Sequence, residues 1–163
     1  MKKTIIKKAG LMMLLGAIVL GATACSSGKA ATGGEVTGNL EELMEKIYKD
    51  TKLEFPGTQI TEITPENVEY FLGTSDVKYD EAIGSEPMMS SQAHSVVLLR
   101  ASEGADIEAI KTKIKENVDG RKWICVEVEE QNIITDNIGN LVILIMDEDS
   151  EAIQKSFLNL KEQ

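Results

Sequence analysis

The chain is poor in the residues that carry most site chemistry. Its 163 residues hold one histidine, two cysteines, three prolines and one tryptophan, and only 4% are aromatic. One histidine excludes a multi-histidine metal centre, and two cysteines exclude a disulfide scaffold. Basic charge is also scarce, with 17 Lys and Arg against 27 Asp and Glu. Four of the basic residues, Lys2, Lys3, Lys7 and Lys8, fall in the first 24 residues, which contain no acid. The remainder carries 13 basic against 27 acidic residues, a net charge of −14. Such a surface repels phosphate backbones and excludes nucleic acid as a partner. No glycine-rich phosphate loop, metalloprotease helix or zinc-ligand spacing occurs, so no metal or cofactor is expected.

What is present begins with an address. The four lysines precede Ala9 to Leu20, an apolar stretch as long as a signal-peptide core and too short to span a bilayer comfortably. Small residues follow, ending in Ala22-Thr23-Ala24-Cys25-Ser26-Ser27-Gly28. Ala22-Thr23-Ala24 satisfies the rule of ordinary signal peptidase, which would release a secreted protein. The same residues before Cys25 match a bacterial lipobox, although Ala22 stands where most carry leucine. Residues 1–24 therefore read as a lipoprotein signal peptide and Cys25 as the site of lipid attachment. Two acyl chains suffice for stable anchoring at the outer face of the membrane, where one does not. The rest of 25–38 is Ser, Gly, Ala and Thr-rich, a tether with a typical reach of about 20 Å.

Residues 39–163 are enough for one domain with a real core. Asn39 and Glu42 form a capping-box pattern ahead of a helix that carries Leu40, Leu43, Met44, Ile47 and Thr51 on one face. Phe55-Pro56-Gly57 breaks the chain. A short helix starts at Thr64-Pro65-Glu66, carries Val68, Phe71 and Leu72, and stops at Gly73. Residues 73–93 look irregular. Ser95 to Leu99 reads as an inner strand. A helix opening at Ser102 or Glu103 holds Ile107, Ile110, Ile114 and Val118 in one stripe and closes by Gly120. Trp123 to Val128 alternates like an extended segment. Ile133–Thr135 and Leu141–Met146 flank turn residues and predict a hairpin. A last helix runs from about Glu148 to Lys161. The order ααβα(β)ββα argues for an α+β domain with a small, mainly antiparallel sheet covered by helices.

Candidate chemistry is sparse. Cys125 and His94 are the only residues for a thiolate hydrolase, but Cys125 sits in the apolar run Trp-Ile-Cys-Val, where a cysteine is expected to be buried and silent. Asp147-Glu148-Asp149-Ser150-Glu151 lacks the turn glycine and distant glutamate of a calcium loop and reads as dipole-complementing acids at a helix start. Glu127, Glu129, Glu130 and Asp136 read as a solvated face rather than a divalent-cation site. Met88, Met89 and Trp123 fit either a core or an apolar groove, and the core is favoured.

The segments Ser85–Arg100, Ile114–Cys125 and Asp136–Met146 resemble a family of Gram-positive bacterial lipoproteins that carry a domain of unknown function. The resemblance implies a lipidated cysteine at Cys25 and an envelope location, and it implies no catalytic or ligand residue. The expected function is a non-enzymatic binding module at the cell envelope, with a protein, peptide or wall component as partner. The rivals are an envelope hydrolase and an accessory subunit of a transporter.

Overall fold

The computed structural model of the chain describes residues 34–55 and 57–162. The signal-like segment, Cys25 and most of the tether lie outside the described residues. The domain has the expected α+β class. Helices α1 (Leu40–Thr51), α2 (Val68–Leu72), α3 (Ile107–Asn117) and α4 (Ser150–Leu158) cover strands β1 (Thr58–Glu62), β2 (Tyr79–Pro87), β3 (Ser95–Ala101), β4 (Ile133–Ile138) and β5 (Leu141–Met146). Every strand pair is antiparallel, in the order β1-β2-β3-β5-β4.

Local chemistry sets the element ends. The Asn39 side chain caps α1 by accepting from the Glu41 N–H at 2.7 Å, and Asp106 caps α3 by accepting from Ala109 N–H at 3.0 Å. Gly73 ends α2 in a left-handed conformation, φ 70°. The β4–β5 hairpin turns on Gly139-Asn140 with positive φ at the glycine alone, as a type II′ turn requires.

Strand alternation divides the core into two faces. Val96, Leu98, Ile143 and Ile145 point to α1 and α4, where Met44, Ile47, Ile153 and Phe157 meet them. Val97, Leu99, Val142 and Leu144 point to α2 and α3, where Phe71, Leu72, Ile110 and Ile114 meet them. Strands β3 and β5 are thus buried on both sides, which is why they read as unbroken apolar runs.

Three expectations need correction. Residues 73–93 are not irregular throughout, because 79–87 form the longest strand, β2. Its Gly84, Ser85 and Pro87 resemble turn residues, yet Gly84 is required where the Phe71 ring lies against the backbone and leaves no room for a Cβ. β1 was not expected either, since Thr58–Glu62 is a short, half-exposed edge strand. Trp123–Val128 forms no strand, because Cys125 adopts φ 63° and breaks the alternation.

The chain enters the domain at a fixed place. Arg100, near the end of β3, donates to the carbonyls of Val36 (2.8 Å) and Gly38 (3.0 Å) and pairs with Glu81. Val36 packs into the α1/α4 face. The first residue of β3, Ser95, lies at the opposite end of the sheet, about 17 Å from Arg100 at 3.4 Å per residue.

Candidate functional site

Most of the polar side chains buried among the described residues gather at that opposite end. There β2 finishes, β3 begins and β5 finishes. Alternation sends His94 and Asp147 to the α1/α4 face and Glu86 and Ser95 to the α2/α3 face, so two polar clusters sit back to back across the sheet.

On the first face, Asp147 Oδ2 lies 2.6 Å from His94 Nδ1, and the Tyr48 hydroxyl of α1 lies 2.8 Å from His94 Nε2. With the imidazole neutral, Nδ1–H donates to the carboxylate and Nε2 accepts from the phenol. Asp147 Oδ1 accepts the Asp149 N–H at 2.7 Å, fixing the start of α4. Phe55 stacks on both rings, 4.5 Å from Tyr48 and 4.7 Å from His94. Burial pushes the Tyr48 phenol well above its ordinary pKa, a rise that the neighbouring Ser85 hydroxyl opposes and the Asp147 and Glu86 charges reinforce. The Ser85 Oγ is fully buried and, although it faces the phenol, does not reach hydrogen-bond geometry with it.

On the second face, Lys122 Nζ pairs with the Glu86 carboxylate and donates to Ser95 Oγ at 3.3 Å. The two charged side chains are only 6% and 13% exposed. The rings of Tyr70, Trp123 and Phe71 surround the ammonium at 4.7, 5.3 and 5.4 Å. Tyr70 donates its hydroxyl to Glu86 Oε2 at 2.9 Å. Burial and that acceptor push the Tyr70 pKa up to about 12, while burial pulls the Lys122 ammonium down. Paired and hydrogen-bonded in this way, the ion pair holds the segment 118–129 against the sheet.

A cleft of about 230 Å³ opens beside His94, walled by Leu53, Phe55, Thr58, Pro87 and Ala93. Its charged lining is entirely acidic: Glu54, Asp147, Glu148 and Asp149. Glu54, Glu148 and Asp149 are exposed and form no ion pair among the described residues. A larger hollow of about 350 Å³ lies beside α3, but Lys113 and Asp76 on its wall already neutralise each other.

The structure treats the sequence candidates unevenly. Cys125 is exposed, contrary to the expectation of a packed core residue. The left-handed residue turns Ile124 and Cys125 outward while Trp123 and Val128 are buried on the sheet. His94 has both ring nitrogens engaged and offers none to a thiol. Met88 and Met89 are 73% and 63% exposed, correcting the core reading for both, whereas Trp123 is core. Glu127 pairs with Arg121, Glu129 with Gln131, and Asp136 with Gln154, so these acids do not converge. Among the described residues no group of three or more His, Cys, Asp or Glu is placed to hold a metal, and no helix is long and apolar enough to cross a membrane. The partnerships of His94 with Asp147 and of Lys122 with Glu86 were missed. His94 and Asp147 flank the apolar runs of β3 and β5 and Lys122 and Glu86 flank neither, and strand adjacency is needed to read either pair.

Comparison with known proteins finds no family model, no curated protein and no solved structure that matches this chain.

Proposed function

We propose that the chain is a lipid-anchored binding module, held at the outer face of the membrane through Cys25 and engaging a partner at the His94 end of the domain. The basic, apolar and small-residue succession up to Cys25 and the Ser/Gly-rich stretch after it support the anchor. One observation carries the binding reading. Beside the cleft, His94 and Asp147 spend their hydrogen bonds on Tyr48, on each other and on the Asp149 N–H, which leaves no free imidazole nitrogen to act as a base. Unpaired acids and apolar side chains surround them.

The relay from Asp147 through His94 to Tyr48 favours a second reading, acid–base catalysis with the phenol as nucleophile. Burial counts against it, because it holds that phenol protonated. An accessory subunit of a transporter is the first reading with a membrane-protein partner.

Replacing Cys25 with serine tests the anchor. The expected result is movement from the membrane fraction to the medium with loss of the diacylglyceryl mass. A wild-type protein already free in the medium and without lipid would leave plain secretion as the correct reading.

A further inference from the structure

The four large apolar side chains exposed among the described residues are Tyr70, Met88, Met89 and Ile124. They occupy one end of the domain. Tyr70 is tied to Glu86, one residue before Pro87, and lies under Lys122. Ile124 N–H donates to Ser90 O at 2.9 Å, and Met88 N–H donates to Gly57 O at 3.0 Å. The methionine ridge therefore adjoins the acidic cleft, for Pro87, Gln92 and Ala93 of the same connection form its wall. Tyr70 and Ile124 lie on the α2/α3 face, across the sheet from the cleft. Met88 and Met89, however, follow directly on Pro87 of its wall, and a pair of exposed methionines beside a cleft marks an interaction surface.

We infer that this end of the domain docks a segment of a partner protein that combines basic and apolar side chains, an inference that rests on the binding-module reading above. Charge complementarity selects the occupant. The cleft presents Glu54, Glu148 and Asp149 without basic partners, so it attracts lysine or arginine. At about 230 Å³ it falls below the usual 300–1,000 Å³ of an enclosed small-molecule site and suits a side chain laid across a surface. Methionines supply an adaptable apolar contact for the residues on either side. An anionic bilayer is disfavoured by the same carboxylates. It is disfavoured again by position, since the chain enters the domain at Val36 and Arg100, the far end of the sheet.

Fluorescence anisotropy with the full chain carrying Cys25→Ser tests the inference. The probes are a short peptide alternating lysine and leucine, an all-lysine peptide, a glutamate–leucine peptide and phosphatidylglycerol vesicles. The lysine–leucine peptide should bind saturably and at least about tenfold more tightly than either other peptide. Met88→Ser with Met89→Ser should weaken it about tenfold, and Glu148→Gln with Asp149→Asn should weaken it and flatten its salt dependence. All four side chains are exposed, so melting temperatures should hold and show that the fold is intact. Equal binding of the all-lysine peptide, preference for vesicles, or indifference to both double substitutions would overturn the inference. If the peptides fail while crosslinking in cells captures a partner on another face, the docking inference falls and the binding-module reading stands.

Discussion

At Cys125 the backbone decides what composition does not. A non-glycine residue at φ 63° carries a strain of roughly 1 kcal/mol, and the strain persists because Trp123 and Lys122 on one side and Val128 on the other are anchored to the sheet. The thiol is consequently in solvent. Native protein should react with iodoacetamide as fast as unfolded protein does, and Cys125→Ala should shift stability by less than about 0.5 kcal/mol, as surface changes do. Protection of the thiol in the native state would contradict the exposed placement. The tyrosines make a second residue-level claim. Tyr48, Tyr70 and Tyr79, all three in the chain, have their pKa values raised, chiefly by burial. The unfolded chain loses these protons near pH 10 and the folded chain keeps them. Their contribution to stability is therefore complete below about pH 10 and declines as pH rises above it. Lys122 acts in the opposite sense just below its ordinary pKa, because its folded value is lowered. Three tyrosines against one lysine leave a net loss. Thermal melts should fall in temperature from about pH 10 upward, and Tyr48→Phe should make that fall shallower after an initial loss from orphaning His94 Nε2. An unchanged slope in Tyr48→Phe would contradict the burial of that phenol.

Among the elements, the irregular segment 118–129 depends most on a single interaction. Lys122→Met removes one partner of a buried ion pair and leaves Glu86 uncompensated, which should cost about 3 kcal/mol. Adding Glu86→Gln removes the stranded charge and keeps an acceptor for Tyr70, so it should restore more than half of that loss. Urea unfolding of Lys122→Met, Glu86→Gln and the double variant measures these values, and additive losses would show that the two side chains do not interact. The same segment shows where sequence reasoning stops. Helices α1 and α3 were legible because their caps and apolar stripes are local, as were β3 and β5 because burial on both faces makes them continuously apolar. β2 was hidden because the neighbours that fix its residues are distant: Phe71 demands Gly84, Lys122 demands Glu86, and β1 pairs with Pro87. The candidate site was hidden for the same reason. His94 and Asp147 are separated by 53 positions and meet only through the pairing of β3 with β5. Met88, Met89 and Cys125 are exposed although their neighbours are apolar, because hydrophobicity alone does not reveal which way a loop turns.

On the scale of the whole molecule, charge and direction agree. The chain after residue 24 carries a net −14, and the cleft concentrates unpaired acids at the end farthest from the point where the tether joins. In the proposed reading, the recognition end would lie away from the point where the chain enters the domain from its anchor. The central claim is that this end meets a partner protein. Its most direct test is photocrosslinking in intact cells, with a photoreactive residue at Met89 in the full chain and a control at exposed Glu103 beside the opposite end. The account predicts a reproducible protein adduct from Met89 and none from Glu103. Adducts from Glu103 alone, or from neither position, would contradict it.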